Sequence, residues 1–162
     1  MDKKKAKRVI TSLLIFISQT TLAIDLVKVD KSERRMYLLK ATEVVMEFQV
    51  ALGKQPKGHK LQRGDQRTPE GRYVLDYVKL DSDFYRAMRI SYPNEKDIEH
   101  AVQRNVSPGG SIMIHGIKNG ETIPAEYIQR FNWTDGCIAI TNPEMDIFLD
   151  LVKVGTPIEI QW

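Results

Sequence analysis

Residues 133–140 read Trp-Thr-Asp-Gly-Cys-Ile-Ala-Ile and contain Cys137, the single cysteine of the 162-residue chain. A thiol attacks only as thiolate, so a nucleophilic cysteine needs a base within reach and donors for the oxyanion that forms. Gly136 removes a side chain just before the sulfur, which lets backbone and substrate come close. Backbone N–H groups in this run of small residues are candidate oxyanion donors. Three histidines compete for the role of base. His59 lies in a Lys- and Gly-containing loop and reads as a solvated side chain, and His100, on a polar helix, reads the same way. His115 differs: it ends the apolar run Ile112–Ile114 and precedes Gly116, so it stands at a strand end with room to project into a cleft. Nucleophilic Cys137 with His115 as its base is the chemistry these residues point to.

Other chemistries have less support. Zinc sites want clustered His and Cys, and here three histidines and one cysteine are scattered with no short pair, so no metal is expected. No phosphate loop or dinucleotide fingerprint occurs, nor a Gly-x-Ser-x-Gly elbow, so no cofactor is expected either.

The N-terminus sets the compartment. Lys3, Lys4, Lys5, Lys7 and Arg8 form a positive cluster, an apolar stretch runs from Val9 to about Ile17, and Thr21-Leu22-Ala23 is a small-x-small exit. This is the pattern of a secretory signal peptide over residues 1–23, with an uncleaved amphipathic anchor as the alternative. Either way the folded part, 24–162, is expected outside the cytoplasm, in the periplasm or cell envelope, touching membrane only through the N-terminal segment if that stays uncleaved. The net charge of +3 comes from this segment, which holds five of the 24 basic residues and one of the 21 acidic ones. The remainder is nearly neutral, which gives no support to nucleic-acid binding. An oxidising compartment favours paired cysteines, so one unpaired cysteine is either inert and buried or kept for chemistry.

The elements that must position these residues read mostly as strands. Residues 24–29, 35–40 and 43–52 are three successive β-rich stretches joined by short polar turns, an antiparallel meander. Residues 53–71 form a long Gly-, Pro-, Lys- and Arg-rich loop, a candidate gate over the cleft. Strands are predicted over 72–78, 89–92, 111–115 and 158–160, with a polar helix from Asn94 to about Arg104. Thr141 and Glu144 offer a capping box, with Asn142 as the alternative cap, for a helix whose apolar stripe is Met145, Phe148, Leu149 and Val152. The positive end of that helix would help hold a thiolate if it faces the site. The class is mostly β, one domain, with one firm helix and one or two minor ones. Strands do not alternate with long helices, which argues against a doubly wound parallel sheet.

Ile114-His115-Gly116 followed by Thr134-Asp135-Gly136-Cys137-Ile138 resembles the L,D-transpeptidase catalytic domain (YkuD type), whose signature is a His, a gap, then Ser/Thr-x-Gly-Cys. Thr68-Pro69-Glu70-Gly71, Ser91-Tyr92-Pro93-Asn94 and Gly155-Thr156-Pro157-Ile158 are similar to further family segments, so the resemblance spans nearly all of 24–162. It implies a β-sandwich-like mixed sheet and an acyl-enzyme on Cys137, drawn from a peptidoglycan stem peptide and passed to an amine in cell-wall cross-linking and remodelling. Gly136 and Cys137 would line the oxyanion site, and Thr134 would orient the loop or His115. Two positions depart from the common pattern: Ala139 stands where many members carry Arg, and Asp135 where many carry His. Such a box is similar to a subgroup containing hydrolases, some of which release protein from peptidoglycan, so water is the alternative acceptor and a peptidoglycan-linked protein a possible partner. A non-catalytic peptidoglycan-binding module on the same fold is the remaining reading.

Overall fold

The computed structural model describes residues 23–162. The segment 1–23, expected to be a signal peptide or anchor, falls outside the described residues except for Ala23. Eight strands and three short helices follow in chain order: β1 (Leu26–Asp30), β2 (Arg35–Lys40), β3 (Glu43–Gln49), β4 (Gly71–Ser82), β5 (Tyr85–Ile90), α1 (Glu95–Gln103), β6 (Met113–His115), α2 (Ala125–Ile128), β7 (Ile138–Ala139), α3 (Asn142–Leu151) and β8 (Pro157–Gln161).

The strands form one mixed sheet in the order β3-β2-β1-β8-β4-β5-β6-β7. The first three are the expected antiparallel meander, and β8 joins β1 in parallel. β4 is longer than its sequence suggested. Its first residues pair with β8, and from Leu75 onward it pairs with β5, so one strand passes between the two halves of the sheet. Register shifts between Leu75 and Tyr77 and between Lys79 and Ser82 accompany that passage. Such irregularities bend a strand and raise its twist. The two ends of the sheet also meet: Ala51 and Ala139 exchange backbone hydrogen bonds of 2.9 and 2.8 Å, linking the chain after β3 to β7. One core results. Val27, Val29, Met36 and Leu38 from one half share a cluster with Leu75, Ile90, Ile114 and Ile138 from the other, under Met145 and Phe148 of α3.

Both longer helices start at capping boxes. In α1 the Asn94 side chain accepts from the Asp97 N–H and the Asp97 carboxylate accepts from the Asn94 N–H. Thr141 and Glu144 do the same for α3. Alternation in β3 holds only toward its end: Phe48 is buried while Val44 is exposed. A register shift opposite Leu38 and Leu39 moves the facing residues out of phase there.

The 53–71 loop is anchored rather than free to gate. The fully buried Lys31 ammonium donates to Gly58 O (2.8 Å), Thr68 O (2.9 Å) and a Glu70 carboxylate oxygen (2.8 Å). His59, read above as solvated, is instead half-buried, with Nε2 3.0 Å from Asp97 and Nδ1 accepting the Glu70 N–H at 3.0 Å. A loop position did not imply solvation because the loop packs against α1. Asp65 gathers the N–H groups of Leu61, Gln62 and Arg67 together with the Lys60 ammonium. Lys31→Met should therefore cost about 3 kcal/mol, because it leaves two carbonyls and a carboxylate without their cation. A lowered urea midpoint at unchanged slope would register that loss; an unchanged midpoint would mean that water replaces the ammonium at no cost.

Candidate active site

His115 ends β6 and Cys137 immediately precedes β7, two strands paired in parallel with Ile114 opposite Ile138 and His115 opposite Ala139. Extending that register by one residue sets Cys137 beside Met113. Side chains alternate along strands. Ile114 and Ile138 point into the core, so Met113, His115, Cys137 and Ala139 share the other face. The thiol and the imidazole are thus diagonal neighbours, and both line one cavity of about 190 Å³ that also includes Phe84 and Ser111.

The surroundings fix the state of each group. The Met113 N–H donates to Sγ at 3.4 Å, and the thiol donates to Ser111 O at 3.7 Å. Ser111 adopts a left-handed backbone (φ 57°), a conformation uncommon for a serine. Although part of the Cys137 side chain remains accessible, the protein packed around it pushes the thiol pKa up; the Met113 N–H and Lys60 oppose that shift, and Asp135 adds to it. His115 is buried. Its Nδ1 donates to Gly116 O at 2.7 Å. A carbonyl can only accept, so the proton of the neutral ring sits on Nδ1 and Nε2 keeps its lone pair. Burial holds the imidazole below its ordinary pKa, partly opposed by the Gly116 carbonyl. Phe84 and Trp133 flank the ring, with centroids 4.6 and 5.7 Å from it. Phe84 does not stand out in the sequence, because nothing there marks the β4–β5 turn that carries it.

Gly136 serves by its size and backbone. It sits at φ 130°, and a Cβ there would lie 2.7 Å from Arg67 O, a backbone atom with no room to give. Its N–H donates to Thr134 Oγ1 at 3.1 Å. That N–H is therefore committed within the turn in this state. Thr134 Oγ1 in turn donates to Cys137 O at 2.7 Å, so the threonine spans the turn from both sides. Asp135 is exposed and pairs with Lys54 (2.9 Å) and Gln66 (3.3 Å); the Lys54 ammonium holds its carboxyl below the usual carboxylate range. Gly116 leaves no space for a side chain either, since a Cβ would meet Asn142 Oδ1 at 2.5 Å. The N-terminal end of α3 is engaged with this segment, Asn142 accepting from the Ile117 N–H at 2.8 Å. Among the described residues no three His, Cys, Asp or Glu side chains stand together as a metal site.

A second, larger cavity of about 650 Å³ also reaches the thiol. Cys137 and Ser111 line both cavities. The larger one is walled by Lys60, Arg63 and Gln66 from the anchored loop and by Gly109 and Gly110 from the turn before β6.

A mostly-strand mixed sheet carrying a His-Gly strand end beside a Gly-Cys turn defines a class. Residues 24–160 match the model of the L,D-transpeptidase catalytic domain, YkuD, and the chain belongs to that family. It is similar to YafK of Escherichia coli (strain K12), 31% identical over 97 residues that make up 59% of this chain and 32% of that protein. The chain thus spans about a third of the length of this curated relative. Among solved structures it resembles the helical cell shape determining protein Pgp2 from Campylobacter jejuni, with TM-score 0.64 and 22% identity over 89% of this chain and 52% of that one. It also resembles an Enterococcus faecium L,D-transpeptidase, with TM-score 0.57 and 15% identity over 85% of this chain and 50% of that one. At these identities the structural likeness speaks for the fold.

Proposed function

We propose that the chain is a cysteine-dependent L,D-transpeptidase acting on peptidoglycan outside the cytoplasm. Cys137 attacks the carbonyl that follows the L-centre of the stem-peptide diamino acid. As sulfur bonds to that carbon, the thiol proton passes to His115 Nε2. The tetrahedral oxyanion collapses, the C–N bond breaks, and the leaving amine takes the proton from the imidazolium. The thioester on Cys137 is then opened by an acceptor amine, whose proton returns through His115 to the released thiol. One observation carries this reading: the thiol shares a cavity with an imidazole whose Nδ1 is bound to Gly116 O, so that Nε2 is left to accept a proton.

Hydrolysis is the second reading, and the size of the smaller cavity favours it. At about 190 Å³, against about 650 Å³ for the larger cavity, the cavity that includes His115 suits a water or a slender amine better than a second peptide. Incubating the full chain with a stem tetrapeptide, with and without an acceptor amine, distinguishes the two by product mass. A new amide is expected in the presence of amine. A shortened peptide alone would replace transfer by hydrolysis. Neither product, with no mass added to Cys137, would overturn both and leave a binding module.

A further inference from the structure

The larger cavity is electrically unbalanced. Against Lys60 and Arg63 its one acidic wall residue is Asp135, which is exposed and pairs with Lys54 at 2.9 Å. The Lys60 ammonium is buried and fixed, donating to Asp65 (2.8 Å) and Gln62 O (3.1 Å), which uses two of its three donors. Asp65 also accepts three backbone N–H groups, so its charge is spread over several donors. Arg63 is exposed, and among the described residues its guanidinium makes no hydrogen bond or ion pair. Its backbone, by contrast, is held: the Arg63 N–H donates to Ser107 O at 2.8 Å, and Gly109 packs on its Cα. An arginine on a held backbone, with five free donors and next to a buried ammonium on the same cavity wall as the nucleophile, is suited to an anion, and a planar carboxylate in particular.

We propose that Lys60 and Arg63 form a carboxylate-binding subsite that reads a free carboxylate of the peptide donor beside its scissile bond. This rests on the acyl-transfer reading above and extends it to substrate selection. Two groups on a stem peptide carry this chemistry: the C-terminal carboxylate of the departing residue and the free carboxylate of the diamino acid. The same wall draws the thiol toward ionisation, since Lys60 opposes the effect of burial on Cys137.

The test measures affinity by calorimetry in the full chain carrying Cys137→Ala, which binds without turnover. Three tetrapeptides are compared: the free acid, the C-terminal amide and the side-chain amide. One amide should bind about tenfold more weakly than the free acid, and which one identifies the carboxylate that is read. Adding Arg63→Gln should weaken the free acid by a similar factor and leave that amide unchanged, because the exposed side chain has no structural partner to lose. Equal affinities for all three peptides, an Arg63→Gln effect equal on acid and amide, or no binding at all would overturn the subsite. Turnover by the unmodified chain reports separately. Product formation without acid–amide discrimination sinks the subsite alone. Discrimination in the Cys137→Ala protein, with no product from the unmodified one, sinks the catalytic reading and keeps the subsite.

Discussion

Cys137→Ser is expected to abolish turnover, a loss of roughly 10⁴-fold or more, while leaving the fold intact. The reason is specific to this pocket. The thiol is held by weak contacts, an N–H from Met113 at 3.4 Å and the carbonyl of Ser111 at 3.7 Å, so no strong bond is lost by exchanging sulfur for oxygen. What is lost is acidity. The imidazole that must take the proton is held below its ordinary pKa of 6.5, too weak a base for a hydroxyl in a buried setting. Intact mass spectrometry after exposure to a stem-peptide donor checks this directly. The native chain should gain an acyl group, and the Ser variant should gain none. If the variant still acquired the group, the nucleophile would lie elsewhere, and Ser111, which lines both cavities, would be the first alternative to examine.

The pair at the centre of this prediction was legible because its signals are local. An unpaired cysteine after a glycine, and a histidine closing an apolar strand, can be recognised one segment at a time. Their relative placement was not legible, because it depends on β6 and β7 pairing in parallel with Ile114 opposite Ile138, and β7 is only two residues long. Strand pattern and capping boxes gave most of the fold correctly. What escaped was long-range. Nothing in residues 79–88 announced that β4 would run on to Ser82 and turn at Asp83 and Phe84 to place an aromatic ring against His115. The loop misled for a related reason. Gly, Pro and Lys there read as mobile and solvated, whereas the structure spends Lys31, a residue 27 positions before Gly58, on tying the loop down. Loop rigidity has its consequence in the cleft. Lys60 and Arg63 line the thiol's larger cavity from a wall tied down by Lys31 and His59, so the Lys60 ammonium and the Arg63 backbone are set before a substrate arrives. Gly136 belongs to the same logic, since the absence of its Cβ is what lets the cysteine turn lie against Arg67 O.

His115→Ala is expected to lower the rate of acyl transfer by about 10²–10⁴-fold, and His115→Gln, which keeps most of the volume between Phe84 and Trp133, by a similar factor. The glutamine variant matters because the alanine leaves a hole beside two rings and loses stability as well as a base. The size of the effect follows from the resting state. Burial raises the thiol above its ordinary 9.0 and lowers the imidazole below 6.5, so both shifts oppose a standing thiolate–imidazolium pair. At neutral pH the site holds a thiol and a neutral ring, and the proton moves only as sulfur approaches the carbonyl. Activity should then fall as pH drops through the depressed histidine pKa, with the acid limb centred below 6.5. Folding stability has the same sign. The unfolded chain binds the proton at higher pH than the folded one, so stability rises with pH between the lowered pKa and 6.5, and His115→Gln removes that dependence. Alkylation of Cys137 by iodoacetamide gives the independent measure. Its rate should inflect above pH 9.0, with no step near neutrality. A step near pH 6 that vanishes in His115→Gln would mean that the ion pair pre-exists. Near-full transfer activity in either histidine variant would take the role of base away from His115 altogether.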